Sequence, residues 1–241
     1  MQPNYIANFV QSTFNVIRET AGDLSKHTLV VGGDGRYYNR EATQIIIRMA
    51  AANGFGRLLV GRGSLVSTPA VSAVIRRREA LGGLVLSASH NPGGIDEDFG
   101  IKYNVHNGGP APETVTEAIY QHTLKINEYS IFDVADIDID HEGSTTIGST
   151  EVVVIDPLID YCSLMEELFD FPALRKLFTS GFRMTFDAMH AITGPYARYL
   201  LEEKLGASTG TVINGEPLVD FGGHHPDPNL ARSNLSASAR R

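Results

Sequence analysis

The sequence predicts an α/β fold layered as an α/β/α sandwich with a mixed sheet. Two observations carry that prediction. Short apolar, β-branched runs at 28–31, 57–61 and 83–86 alternate with stretches of helical apolar spacing, the pattern of strands packed between helices. After a polar, acidic stretch near 131–150 the same alternation resumes, so a second α/β segment follows the first.

The elements follow in order. Tyr5, Ile6, Phe9, Val10, Phe14 and Ile17 recur at helical spacing across 3–20. The run 28–31 is a strand that enters the turn Gly32-Gly33-Asp34-Gly35-Arg36. Ile45, Ile46, Met49 and Ala50 share one side of a helix over 38–53, which Asn53-Gly54 ends. Residues 57–61 form a second buried strand, and Thr68-Pro69 opens a helix to about 81 with Thr68 as its N-cap. The strand 83–86 delivers the loop 87–94, Ser-Ala-Ser-His-Asn-Pro-Gly-Gly. A returning strand at 100–104 and a helix at 112–128 complete the first segment.

Between 131 and 150, Asp136, Asp138 and Asp140 alternate with Ile137 and Ile139. The spacing superficially suggests a calcium loop, but the glycine and the terminal glutamate that such a loop needs are missing. An exposed strand or ribbon fits better. The second segment reads as strand 152–155, helix 158–169, strand 182–186, helix 194–205 and a short strand at 211–213. Residues 231–241 are small, polar and basic without apolar periodicity, and read as a disordered tail.

Composition narrows the function. The chain of 241 residues is 42% hydrophobic and 20% charged, enough for a packed core. A formal net charge of -8 disfavours a polyanion partner, so no nucleic acid is expected. Arg76, Arg77 and Arg78 point in different directions on a helix and read as a solvated face. The single cysteine, Cys162, allows no internal disulfide and no cysteine-only metal site, and reads as a small apolar packing group. No apolar run reaches the roughly 18 residues of a membrane helix, and the N-terminus lacks a signal-peptide pattern. A cytoplasmic protein without membrane association is the expectation.

A serine in a loop of small residues after a buried strand occupies the usual ligand edge of an α/β sheet. Gly93 and Gly94 let backbone approach a bound group, and Pro92 stiffens the loop. His90 and Asn91 put polar groups beside Ser89. Two readings stay open on these residues alone: an activated hydrolytic serine and an ordinary polar loop. The hydrolytic one lacks the Gly-x-Ser-x-Gly elbow.

The loop 87–94 resembles the phosphoserine loop of the α-D-phosphohexomutases, usually Thr-Ala-Ser-His-Asn-Pro. The resemblance extends to VVGGDGR at 30–36, AAANGFGRLLVG at 50–61, STPAVSAVIR at 67–76, DFGIKYNVHNGGPAPE at 98–113, FDAMHAITGPY at 186–196 and DFGGHHPDPNL at 220–230. These runs are collinear over about residues 4–230 and resemble the phosphoglucomutase branch. The resemblance implies that Ser89 carries the transferable phosphate. It implies a reaction that interconverts glucose 1-phosphate and glucose 6-phosphate through glucose 1,6-bisphosphate. Catalytic roles carry over to Ser89, His90 and Lys102, and substrate contact to Ser89 and Lys102. The Ser89 phosphate would also supply one magnesium ligand. Ser87 stands where the family often has threonine, and both keep a hydroxyl.

By the same resemblance, residues 1–157 correspond to the first domain of a four-domain family without its opening strand. Residues 158–230 correspond to part of the second, and 231–241 diverge. The Asp-Gly-Asp-Gly-Asp-Arg loop that supplies the family's magnesium aspartates is not in this sequence, nor are the loops of the third and fourth domains. A truncated chain, inactive or nearly so by itself, is the expectation. The partner implied is a hexose phosphate; a non-catalytic binding or scaffold protein of the same fold is the alternative. His190 and His224-His225 suggest a metal cluster by eye, but in the family those stretches are structural. For Asp34 and Arg36, an internal turn with its salt bridge and a contact to substrate both stay open.

Overall fold

The computed structural model describes residues 4–226, which divide into two compact units. The first takes the chain up to residue 33 together with 39–86 and 101–157. The second takes 34–38, 87–100 and the chain from residue 158 onward. The tail reading for 231–241 lies outside the described residues.

In the first unit the chain runs α1 (Tyr5–Ala21), β1 (Thr28–Gly33), α2 (Asn39–Ala52), β2 (Arg57–Leu65), α3 (Thr68–Arg77), β3 (Gly82–Leu86), β4 (Ile101–Val105), α4 (Glu113–Thr123), β5 (Gly143–Ile147) and β6 (Thr150–Ile155). The strands form one sheet in the order β4-β3-β1-β2-β6-β5. β1, β2, β3 and β6 are parallel, while β4 and β5 run antiparallel at the two edges. From β1 the chain steps to β2 on one side, then crosses back to β3 on the other. Right-handed crossovers therefore put α2 and α3 on opposite faces.

Two glycines confirm that layering. A side chain at Gly83 would meet Ile75 and Val71 of α3, whereas one at Gly33 would meet Asn39 of α2. Gly83 pairs with Val30, and Gly33 lies three residues on, so the two look out of opposite faces. The helix α1 packs against α2 and α4, and Phe14 meets Phe55 edge-on at 5.0 Å. A buried polar knot locks α1 in place. Gln11 and Asn53 exchange side-chain hydrogen bonds of 2.8 and 2.9 Å, and Gln11 also accepts the Ser130 amide at 3.0 Å.

The cap of α3 is Ser67, not Thr68. Ser67 Oγ accepts the Ala70 amide at 3.3 Å, and the Val71 amide, which a Thr68 cap would need, already donates to the Ser67 carbonyl at 2.9 Å. Ser67→Ala is expected to cost about 1 kcal/mol in urea unfolding, and Thr68→Ala only about a few tenths. Arg76, Arg77 and Arg78 are exposed at the end of this helix, where positive charge suits the helix dipole.

The acidic stretch forms no strand between 131 and 142. Its backbone is held by side chains and by isolated backbone bonds, the Ile139 carbonyl accepting the Gly63 amide at 2.6 Å. Gln44 donates to the Ile137 carbonyl at 2.8 Å and accepts its amide at 3.2 Å, and Arg48 donates to the Val134 carbonyl at 3.3 Å. Arg40 grips Asp140 with two bonds of 2.7 and 2.8 Å, which holds that carboxyl below its usual range. The strand falls one segment later, on the Ser- and Thr-rich β5, whose side chains are exposed except Ile147. A polar edge suits a strand with one unpaired side.

Tyr103 on β4 is buried, and burial pushes its phenol up to about 12. In the unfolded chain it titrates near 10.0, so the folded state holds the extra proton and stability falls as pH rises from about 10 towards 12. Spectrophotometric titration is expected to show a late-titrating tyrosine, lost in Tyr103→Phe.

The second unit holds α5 (Pro157–Leu168), α6 (Phe171–Thr179), β7 (Phe186–Asp187), α7 (Thr193–Ala197) and β8 (Val212–Ile213), with β7 and β8 paired in parallel. Cys162 is buried with Phe171, Phe178, Leu205 and Ala207, as its reading as an apolar group requires. Two expectations need correction here, and one helix is additional. The strand at 182–186 is reduced to Phe186 and Asp187. The helix at 194–205 splits into α7 and a π-helical segment, Arg198–Lys204, whose different pitch an apolar-spacing reading does not register. The helix α6 was not anticipated, although Asp170-Phe171-Pro172 carries a cap signal: the Asp170 carboxylate accepts the Ala173 amide at 3.0 Å.

Candidate active site

Two short segments of the second unit follow directly in the chain from the carboxyl ends of the neighbouring strands β1 and β3: the turn 34–38 and the loop 87–100. Ligands of α/β proteins collect at such strand ends. The turn doubles back at Gly35, whose φ of 85° a side chain would disfavour. That reversal lets Asp34 accept the Arg36 amide at 3.2 Å and grip its guanidinium side-on, with Nε 3.0 and 3.1 Å from the two carboxylate oxygens.

The remaining nitrogens of Arg36 reach into the serine loop. Nη1 donates to the Asp98 carbonyl at 2.7 Å and Nη2 to the Ser89 carbonyl at 3.0 Å, with longer bonds to Pro92 at 3.4 Å and Asn91 at 3.5 Å. The Phe221 ring lies 5.3 Å from the guanidinium carbon. The Arg36 side chain is 0% exposed, so of the two readings left open for it the internal one holds. A cation with no exposed surface does not touch substrate.

The loop is tied down elsewhere as well. The Ser87 amide donates to the Gly100 carbonyl at 2.9 Å, and the Asn91 carboxamide donates to the Asp98 carboxylate at 2.9 Å. Gly93 is buried, and a side chain there would lie 2.8 Å from the Phe221 ring and 2.9 Å from the Val219 carbonyl. Ser89 itself is exposed and sits in the left-handed region with φ 57°. Its amide donates to Ser87 Oγ at 3.0 Å. Non-glycine residues are uncommon in that region and concentrate at functional sites.

Ser89 and His90 are thus consecutive exposed residues of one anchored loop. Lys102 is placed differently: it lies exposed on the edge strand β4, opposite Val85, in the first unit. His190 is held by backbone, its Nδ1 3.0 Å from the Glu216 carbonyl. Asp187 accepts the Met189 amide and the Asn214 carboxamide, both at 2.9 Å. The residues that the sequence reading did not assign to the loop are Asp98 and Phe221. Both lie in runs that resemble the family, at 98–113 and 220–230, while the Asp-Gly-Arg spacing at the end of β1 forecasts a turn but not its target.

The family profile for the α/β/α domain I of phosphoglucomutase/phosphomannomutase matches residues 1–130. The chain belongs to the phosphoglucomutase/phosphomannomutase family. A phosphoglucomutase of Rhizobium radiobacter is 58% identical over 96% of this chain and 42% of that protein. A chloroplastic phosphoglucomutase of Solanum tuberosum is 54% identical over 95% of the chain and 36% of that protein. Among solved structures, the open form of the Paramecium exocytosis-sensitive phosphoprotein parafusin, a phosphoglucomutase, superposes with a TM-score of 0.90 at 46% identity. It is covered over 95% of this chain and 43% of its own. The chain therefore spans about two fifths of these relatives.

A family magnesium ion would need carboxylates to complete a site begun by a Ser89 phosphate. Among the described residues no three His, Cys, Asp or Glu side chains converge on one point. The carboxylates of Asp34 and Asp98 are engaged by Arg36 and Asn91. The carboxylates that would complete such a site are therefore not assembled among the described residues.

Proposed function

We propose that the protein containing this chain is a phosphoglucomutase that interconverts glucose 1-phosphate and glucose 6-phosphate, with Ser89 as phosphoryl carrier. The observation that carries the reading is Ser89 itself: exposed, in a left-handed conformation, on a loop whose backbone is anchored from within. Relatives named phosphoglucomutase at 51–58% identity support it, as does the description of the Paramecium relative as a phosphoprotein.

In the forward half-reaction the O–P bond at Ser89 Oγ breaks as a sugar hydroxyl takes the phosphoryl group. The hydroxyl proton is released and Oγ regains one. The resulting glucose 1,6-bisphosphate turns over, and its other phosphate returns to Oγ. The phosphoryl group in flight carries its charge on the equatorial oxygens, so placement and cations matter more than a strong base. His90 serves beside the transferring oxygens, and Lys102 contributes positive charge to the substrate phosphate. A cytoplasmic location accords with relatives named cytoplasmic in Arabidopsis thaliana and Bromus inermis, although others are chloroplastic.

The test is transfer of label. Protein incubated with glucose 1,6-bisphosphate carrying radioactive phosphate is expected to become labelled and to pass the label to either glucose monophosphate. Labelled protein that gives nothing to either sugar would contradict a mutase.

A further inference from the structure

We propose that Arg36 and Ser87 are positioning residues that impose the left-handed conformation of Ser89, a claim that rests on the phosphoryl-carrier reading above. Both peptide groups of Ser89 are engaged. Its N–H donates to Ser87 Oγ at 3.0 Å and its carbonyl accepts Arg36 Nη2 at 3.0 Å. Fixing the peptide on each side of one residue fixes its φ and ψ, and here it fixes them at φ 57°. A conformation this uncommon persists only where its surroundings over-determine it.

Arg36 can impose geometry because it cannot itself move. Asp34 holds Nε and Nη2, the Phe221 ring lies against one face, and no part of the side chain is exposed. The planar fork then reaches carbonyls of Ser89 and Asp98 together, joining the start and the end of the loop. A lysine could keep the pairing with Asp34 but lacks a rigid fork to hold both carbonyls. Ser87 is also buried, so its hydroxyl acts on the neighbouring amide and not on substrate. The consequence for chemistry is orientation: Oγ of Ser89 projects from the loop in one direction, and small misplacements of a reacting atom cost roughly 10²-fold in rate.

The test compares wild type, Arg36→Lys, Ser87→Ala and Ser87→Thr, with resonances read on the 241-residue chain and phosphate uptake on the protein that contains it. Amide–α-proton couplings and backbone shifts at Ser89 report its conformation. Intact mass followed in time reports phosphate uptake from glucose 1,6-bisphosphate. In Arg36→Lys and Ser87→Ala, Ser89 is expected to leave the left-handed region while resonances of α6 and β7 stay in place. Uptake falls roughly 10²-fold, and Ser87→Thr, which keeps the hydroxyl, restores both readouts. A merely structural role would lose α6 and β7 together with the loop. Ser89 retaining its couplings and uptake in the two folded variants would overturn the proposal. If Arg36→Lys fails to fold, the Ser87 pair decides alone. Couplings that shift as stated while the wild-type protein containing this chain takes up no phosphate would support the positioning of Ser89 and remove the phosphoryl-carrier reading.

Discussion

Ser89→Ala is expected to abolish phosphoryl uptake, by on the order of 10⁴-fold or more, because it removes the atom that forms the bond. The loop should survive the change. Alanine is no more strained than serine at φ 57°, and the bonds of its N–H to Ser87 and its carbonyl to Arg36 are kept. Unfolding free energy in urea should therefore stay within about 0.5 kcal/mol of wild type. Ser87 offers no substitute nucleophile, since it is buried and its oxygen already accepts the Ser89 amide. Ser89→Thr gives a sharper contrast. It keeps a hydroxyl but places a β-branched side chain in the left-handed region, where such residues are outliers, so uptake should fall despite the retained oxygen.

Gly33→Ala is expected to produce the largest loss of stability, roughly 3 kcal/mol or more. The added carbon would lie 2.2 Å from the Leu86 carbonyl oxygen, 2.3 Å from Asn39 Oδ1 and 2.6 Å from Leu86 Cβ. Two of those three belong to the backbone or first carbon of β3, whose Leu86 pairs directly with Gly33. They can retreat only if the strands slide. The third belongs to Asn39, whose amide nitrogen is occupied by the Ser64 carbonyl at 3.1 Å and hydroxyl at 2.8 Å. Gly143→Ala is the control: nothing lies within 4 Å of a carbon added there, and the change should stay within about 0.5 kcal/mol. Urea titrations of the two variants side by side separate a packing effect from a general cost of losing glycine.

The first unit was largely legible because its strands are buried on both faces and read as short continuous apolar runs. What escaped were features decided by hydrogen bonds that periodicity does not encode. Ser67 and Thr68 are both capping residues, and the bonds from the Ala70 amide to Ser67 Oγ and from the Val71 amide to the Ser67 carbonyl separate them. The acidic ribbon alternates like a strand, yet Gln44 and Arg48, about 90 residues away in the chain, supply its partners. In the second unit, β7 and β8 are two residues each, too short for any alternation to register.

The candidate site shows the same division. The serine loop stood out through its residue types and the family resemblance they carry. The buried pair beneath it did not, because Asp34 and Arg36 form an ordinary turn in sequence, and the carbonyls they organise lie more than 50 positions away. Sequence alone left an internal turn and a substrate contact both open. Burial pointed inward.

The most direct measurement is peptide mapping by mass spectrometry after incubation with glucose 1,6-bisphosphate. Fragmentation across residues 87–91 separates Ser87 from Ser89. One phosphoryl group on Ser89, removed when glucose 1-phosphate is added, is the predicted result. Phosphate found on Ser87, or retained on Ser89 in the presence of the sugar phosphate, would contradict it.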